Sequence, residues 1–309
     1  MRLRRSRPYG PGITRVRRGR GFSYVTADGE RVEDEEILER ARSLVIPPAW
    51  RNVWVCAYPN GHIQAVGIDA AGRRQYLYHE QWRNERDEEK FDRVLELAPR
   101  LPVLRQRVVD DLELRGLARE RVQAVALRLI DRGVFRVGGE EYAQENGTHG
   151  VATLLREQVH VSGDQLLFDY TAKHGIRRRV QIVDPPAARA VRSLMRSRAC
   201  SDRLLVYRDR TGYREVRADD INTRLRELAD MECSAKDLRT WQGTVLAAAA
   251  FGSVDLPTSK TGFKRTESQV MKGVAEALGN TPAVARSSYV DPRVVQAFER
   301  GDTIAPALR

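Results

Sequence analysis

Val122-Gln123-Ala124-Val125-Ala126-Leu127-Arg128-Leu129-Ile130 places apolar residues at 122, 125, 126, 129 and 130, the spacing that lines one face of an α-helix. A strand would divide the same residues between its two faces, so the pattern decides for helix. Ile221, Leu225 and Leu228 repeat the helical spacing further along, and from Phe91 onward the chain reads as mostly helical. One stretch departs from it. Residues 158–161, 165–171 and 176–183 read as strands, separated by Ser162-Gly163-Asp164 and by Ala172-Lys173-His174-Gly175, which predicts three short strands and two tight turns. Residues 252–265, with Pro257, Gly262, Lys260, Lys264 and Arg265, read as a basic mobile loop.

Before Phe91 the pattern changes. Residues 9–82 are rich in Gly, Pro, Tyr, Trp and Val, and Val53-Trp54-Val55-Cys56-Ala57-Tyr58 and His62-Ile63-Gln64-Ala65-Val66 flank the turn Pro59-Asn60-Gly61. A small β-rich domain is expected, interrupted by a short helix at Glu35–Ser43, with the charged run 84–90 as the link to the helical part of the chain. The expected fold class is α+β: a small β-rich N-terminal domain over residues 1–90, then a larger, mostly helical domain over residues 91–309 with a three-stranded β insertion.

A chain of 309 residues is long enough for two domains that each bury a core. With 53 Lys and Arg against 42 Asp and Glu the net charge is +11, which points to a polyanionic partner, nucleic acid first. Arg2, Arg4, Arg5, Arg7, Arg15, Arg17, Arg18 and Arg20 all precede the first acid, Asp28, and this arginine-rich start is expected to be disordered without such a partner. Only six of the 53 basic residues are lysines, so a lysine in a site is informative. Cys56, Cys200 and Cys233 are scattered and odd in number, which fits a reducing cytoplasm. The five histidines show no ligand spacing, so no metal and no cofactor are expected. The absence of a membrane-spanning apolar run predicts an intracellular protein, and a monomer is the default.

Near the C-terminus, Thr266 and Gln269 read as a capping box ahead of Val270, Val274, Ala277 and Leu278, and Gly279 closes that helix. Thr281-Pro282 then opens another, which places Asn280 at the corner and Tyr289 about two turns on. Three further segments stand out. Arg136 lies in Val134-Phe135-Arg136-Val137-Gly138-Gly139, Lys173 at a hairpin tip, and Lys236 and Arg239 three apart in Lys236-Asp237-Leu238-Arg239-Thr240, on one helix face. Singly, each has a plainer reading: a buried salt bridge, a solvated turn, a helix joint with a packing tyrosine.

Together they resemble the poxvirus-like bacterial type IB DNA topoisomerases. That family shows an Arg in a Phe-Arg-x-Gly context, a hairpin Lys, an Arg in Lys-Asp-Leu-Arg-Thr, a His opening His-Thr-Pro, and a tyrosine nucleophile nine residues later. These fall on Arg136, Lys173, Arg239, position 280 and Tyr289, with Asn280 where the family has histidine. Asn can donate a hydrogen bond but carries no charge and no acidic proton.

The resemblance implies a double-stranded DNA partner and a nucleoid location, with residues 1–90 as a DNA-clamping domain and residues 91–309 as the catalytic one. It also implies DNA contacts at Gln75, Tyr76, Tyr78 and Tyr142, and the remaining basic surface, Lys236, Lys260 and Lys264 included, is expected to touch phosphates. The implied reaction is attack of Tyr289 on a backbone phosphorus to give a 3′-phosphotyrosine, which stores the bond for resealing without ATP or metal. Arg136 and Arg239 suit the charged phosphate oxygens and Lys173 suits a general acid. Two other readings stay open: a tyrosine recombinase, although these usually carry His-x-x-Arg where this chain has Lys236-x-x-Arg239, and a non-catalytic DNA-binding protein.

Overall fold

Strand β1 (Gly12–Arg18) lies inside a five-stranded antiparallel sheet, flanked by β2 (Gly21–Val25) and β3 (Arg51–Cys56), with β4 (Ile63–Ile68) and β5 (Arg74–Tyr78) completing the order β2-β1-β3-β4-β5. The computed structural model describes residues 2–308, without the side chains of Tyr142 and His174. Helix α1 (Glu35–Ser43) is capped by Asp34, whose Oδ1 accepts from the N–H of Glu36 at 3.0 Å. Ile13, Val53, Val55 and Ala65 meet Ala41 of α1 in the core of this unit.

The arginine-rich start is therefore ordered, contrary to expectation. Arg15 is 8% exposed and its guanidinium donates to the carbonyls of Ile46, Pro47 and Trp50 at 3.0, 3.0 and 2.9 Å. Backbone carbonyls can satisfy a guanidinium as water does, so charge content alone does not forbid a strand. On edge strand β5, Tyr76 and Tyr78 are exposed and stacked 6.0 Å apart. Gln75 belongs to the opposite face and donates to Asp69 Oδ2 at 2.9 Å, so the three residues do not form one surface.

Two compact units divide the chain, Met1–Glu89 and Lys90–Arg309. The charged run 84–90, expected as the link, holds this boundary and is part of helix α2 (Glu80–Leu97), because Glu, Arg and Lys are good helix formers and Phe91, Val94 and Leu97 supply a buried face. The second unit is built around α4 (Arg119–Gly133), whose Val122, Val125, Ala126, Leu129 and Ile130 are all buried, as the stripe predicts. Each of the valine, leucine and isoleucine side chains contributes roughly 1.5–3 kcal/mol by leaving water, and Ala126 less. Helices α3 (Leu101–Leu112), α6 (Pro185–Met195), α7 (Ala218–Ala229) and α8 (Ala235–Gly252) pack around it, and the short α5 (Glu140–Asn146) precedes the sheet. The β insertion is a sheet of β6 (Val159–Ser162), β7 (Gln165–Ala172) and β8 (Ile176–Val183) in that order, close to the expected bounds.

A second hairpin, β9 (Val206–Asp209) and β10 (Gly212–Glu215), escaped the sequence reading. Its turn signal was there: Asp209 Oδ1 accepts from the Thr211 N–H at 2.8 Å, and Gly212 has φ +126°. Residues 252–265 are also not one loop. Helix α9 (Lys260–Leu278) starts before the expected capping box, capped by Ser259, whose Oγ accepts from Gly262 N–H at 3.1 Å, so Lys260, Lys264 and Thr266 are helical. Helices α10 (Pro282–Ser288) and α11 (Pro292–Glu299) follow, and Phe251, Met271, Leu278, Ala285, Val290 and Phe298 bind α8 to α11 in a core of their own.

Candidate active site

Arg136 owes its place to the way α4 ends. Val134 adopts a left-handed conformation (φ +55°) that costs a β-branched residue about 1–3 kcal/mol. The reversal folds Phe135 back onto the helix so tightly that a Cβ at Gly133 would lie 2.3 Å from its ring. Phe135, 1% exposed, stacks on Tyr170 at 5.5 Å and meets Phe168 edge-on at 4.9 Å. The Arg136 carbonyl accepts from Val151 N–H at 2.9 Å, so the backbone on both sides of this arginine is fixed.

Arg239 comes from α8, where Gln242 ties the helix to the end of α4 by donating to Ile130 O at 2.9 Å. Arg239 is buried, donates to the Val134 carbonyl, and lies with its guanidinium carbon 5.3 Å from the centre of the Tyr289 ring. Burial pushes its pKa down to about 10, still far enough above neutrality to keep it charged. Burial also lowers that of Arg136, with Tyr289 acting in the opposite direction. Lys236 is exposed on the same helix, so the two cations that sequence spacing placed on one face have separate environments.

The arginines meet at the C-terminal end of α9. The carbonyls of Ala277, Leu278 and Gly279 accept from Arg178 at 3.1 Å, Arg239 at 2.9 Å and Arg136 at 2.8 Å. Carbonyls without helical partners, at the negative end of the helix dipole, thus replace the carboxylate that a buried salt bridge would need. A carboxylate would cancel the charge; a carbonyl leaves it available to an incoming anion.

Gly279 closes α9 with φ +61° and Asn280 follows at the corner, its Oδ1 accepting from Arg136. Thr281 caps α10, its Oγ1 accepting from Val284 N–H at 3.4 Å, as read from the sequence, and Tyr289, about two turns on as expected, is also where the helix ends. Tyr289 is half-buried against the C-terminal core. Helix α8 passes so close that a Cβ at Gly243 would lie 2.7 Å from the Tyr289 carbonyl, which also accepts from Thr244 Oγ1 at 3.3 Å. The arrangement leaves two donors over: Nε of Arg239 and Nδ2 of Asn280 are buried with no hydrogen-bond partner among the described residues. An orphaned buried donor costs roughly 1–3 kcal/mol, and an anion with acceptor oxygens would relieve both.

Arg136, Arg239, Asn280 and Tyr289 are thus brought together. Lys173 is exposed in a one-turn 3-10 helix, Lys173–Gly175, at the β7–β8 tip, with no hydrogen bond or ion pair to this cluster among the described residues. Lys260 and Lys264 are exposed on the first turns of α9, and Tyr142 belongs to α5, its side chain outside the described part. Arg178, in β8, was missed by sequence reasoning, which singled out only the tip of the hairpin.

A cluster of guanidinium and amide donors beside a tyrosine, in a helical unit with a lysine-tipped hairpin, is chemically suited to holding a phosphodiester. The chain belongs to the type IB DNA topoisomerases, and it is an enzyme of that class: residues 79–301 match the catalytic core of eukaryotic DNA topoisomerase I and residues 21–69 the N-terminal domain of bacterial DNA topoisomerase IB. The DNA topoisomerase 1B of Acanthamoeba polyphaga mimivirus is 31% identical over 287 residues, 90% of this chain and 85% of the viral protein. The DNA topoisomerase 1B of vaccinia virus (strain Copenhagen) is 23% identical over 242 residues, 75% of this chain and 71% of its own length.

Proposed function

We propose that this protein relaxes supercoiled duplex DNA by cutting and resealing one strand, with Tyr289 as nucleophile. The Tyr289 hydroxyl gives up its proton to solvent and its oxygen bonds to a backbone phosphorus as the bond from phosphorus to the 5′-oxygen breaks. The phosphate remains on the tyrosine as a 3′-phosphodiester, and the departing 5′-oxygen takes a proton from Lys173. Resealing is the reverse, with the 5′-hydroxyl as nucleophile, so the number of phosphodiester bonds is conserved and no ATP or metal is consumed.

The observation that carries this reading is the set of donors beside Tyr289: Arg136 and Arg239 held by carbonyls rather than carboxylates, with Nε of Arg239 and Nδ2 of Asn280 unpartnered among the described residues. Such donors, fixed before the anion arrives, stabilise charge that grows on the phosphate oxygens. The exposed pair Tyr76 and Tyr78 is proposed to meet the duplex from the N-terminal unit, with Lys236, Lys260 and Lys264 adding phosphate contacts. Gln75 gives one N–H to Asp69, and its second N–H and its Oε1 are the groups proposed to meet the duplex. The protein is proposed to act as a monomer at the nucleoid.

Relaxation of a supercoiled plasmid by monomeric protein, without ATP or magnesium, tests the reading. A recombinase would need a tetramer and two sites, and a non-catalytic binder would leave no covalent product after detergent quenching. In the same assay Asn280→Ala is expected to slow cleavage by on the order of 1–3 kcal/mol, because it removes one neutral donor and the acceptor of Arg136. A loss as complete as that of a nucleophile variant would assign Asn280 a larger part.

A further inference from the structure

Of the three arginines bound to the end of α9, Arg178 has no part in the proposed cleavage and resealing steps. It lies on β8, directly opposite Tyr170 of β7 and five residues after Lys173. Its neighbours Arg177 and Arg179 both pair with Asp169, at 2.7 and 3.1 Å, on the other face of the hairpin. Strand alternation therefore singles out Arg178 to face α9.

There its Nη1 donates to Ala277 O at 3.1 Å, and its guanidinium fills the space a side chain at position 279 would need: a Cβ on Gly279 would lie 2.5 Å from Nη1 and 3.3 Å from Cζ. Burial raises the pKa of the Tyr170 phenol, and Arg178 is the foremost charge opposing that rise. Since Tyr170 stacks on Phe135, the residue before Arg136, one guanidinium joins the hairpin, the α9 terminus and the Arg136 segment. Beyond Arg178 the hairpin carries only its tip, with Lys173 exposed on it.

We propose that Arg178 is a positioning residue for the leaving-group acid: by docking β8 on the end of α9 it sets the point from which the tip can bring Lys173 to the phosphate beside Asn280 and Tyr289. The proposal rests on the reading of Lys173 as general acid, and misplacing such a group by about an ångström is enough to cost on the order of 100-fold in rate.

The test is single-turnover cleavage of a duplex carrying either oxygen or sulfur at the 5′ bridging position, by wild type, Lys173→Ala, Arg178→Met and the double variant. Methionine keeps an unbranched stem over Gly279 and removes the donors. Arg178→Met is expected to slow cleavage of the oxygen substrate roughly 10- to 100-fold, to cleave the sulfur substrate near the wild-type rate, and to add nothing to the loss in Lys173→Ala. Equal slowing of both substrates, or losses that multiply in the double variant, would overturn the proposal in favour of direct phosphate contact or a purely structural role. Failure of sulfur to rescue Lys173→Ala would instead remove that lysine as the acid, and the double variant would still decide whether Arg178 acts through it. Should the methionine variant not fold, Arg178→Lys, which keeps one donor for Ala277, is read in the same assays and must show the same selective loss in weaker form.

Discussion

Tyr289→Phe is expected to abolish the covalent adduct and plasmid relaxation while leaving DNA binding and the fold intact. The ring of Tyr289 packs against the C-terminal core and its backbone is held by Ala285 and Thr244, so removing one oxygen disturbs neither. The stability change should stay within about 1 kcal/mol, the net worth of one hydrogen bond. The chemical change is total, because no phosphotyrosine forms without the hydroxyl. Detergent-quenched gels read the adduct and mobility shifts read binding. An adduct of normal yield in the phenylalanine variant would place the nucleophile elsewhere.

Lys173→Ala should have the next largest effect. The side chain is exposed on a hairpin tip, so its removal should leave the melting temperature unchanged. Cleavage should slow by roughly 10²- to 10⁴-fold, the usual worth of a general acid. A 5′-thiolate should restore most of that rate: a thiol of pKa about 8.5 departs unprotonated, whereas an alkoxide does not. A melting temperature that falls with the rate would indicate a structural lysine, and a deficit that persists with sulfur would move the acid to another group.

How much of the fold and site was legible in the sequence varies by residue and for physical reasons. The stripe at Val122 to Ile130, the three strands of the insertion and the corner from Gly279 to Thr281 were readable because periodicity, turn glycines and capping residues are local properties. The run 84–90 was readable as a link because its charge sets it apart from the apolar stretches on either side, and the units divide within it, whereas the start of α9 was misread because basic and proline content were taken as signs of loop when a serine cap supported helix. The order of residues 2–20 could not be read because Arg15 is satisfied by carbonyls from residues 46 to 50, a contact that exists only after the sheet forms.

The sequence by itself determined the types of group that the candidate site brings together and their order, two arginines, an asparagine in place of histidine and a tyrosine two turns into a short helix, and it set a lysine on the hairpin tip. It determined the fold class too, since helical and strand periods occupy separate stretches of chain. Only the tertiary structure decided that the arginines are held by the open carbonyls of α9 rather than by carboxylates, that Arg178 joins them, and that Gln75 parts company with Tyr76 and Tyr78. The reason is that a helix end offers its carbonyls to whatever the fold brings near, and neither the spacing nor the identity of Ala277, Leu278 and Gly279 records which side chains arrive.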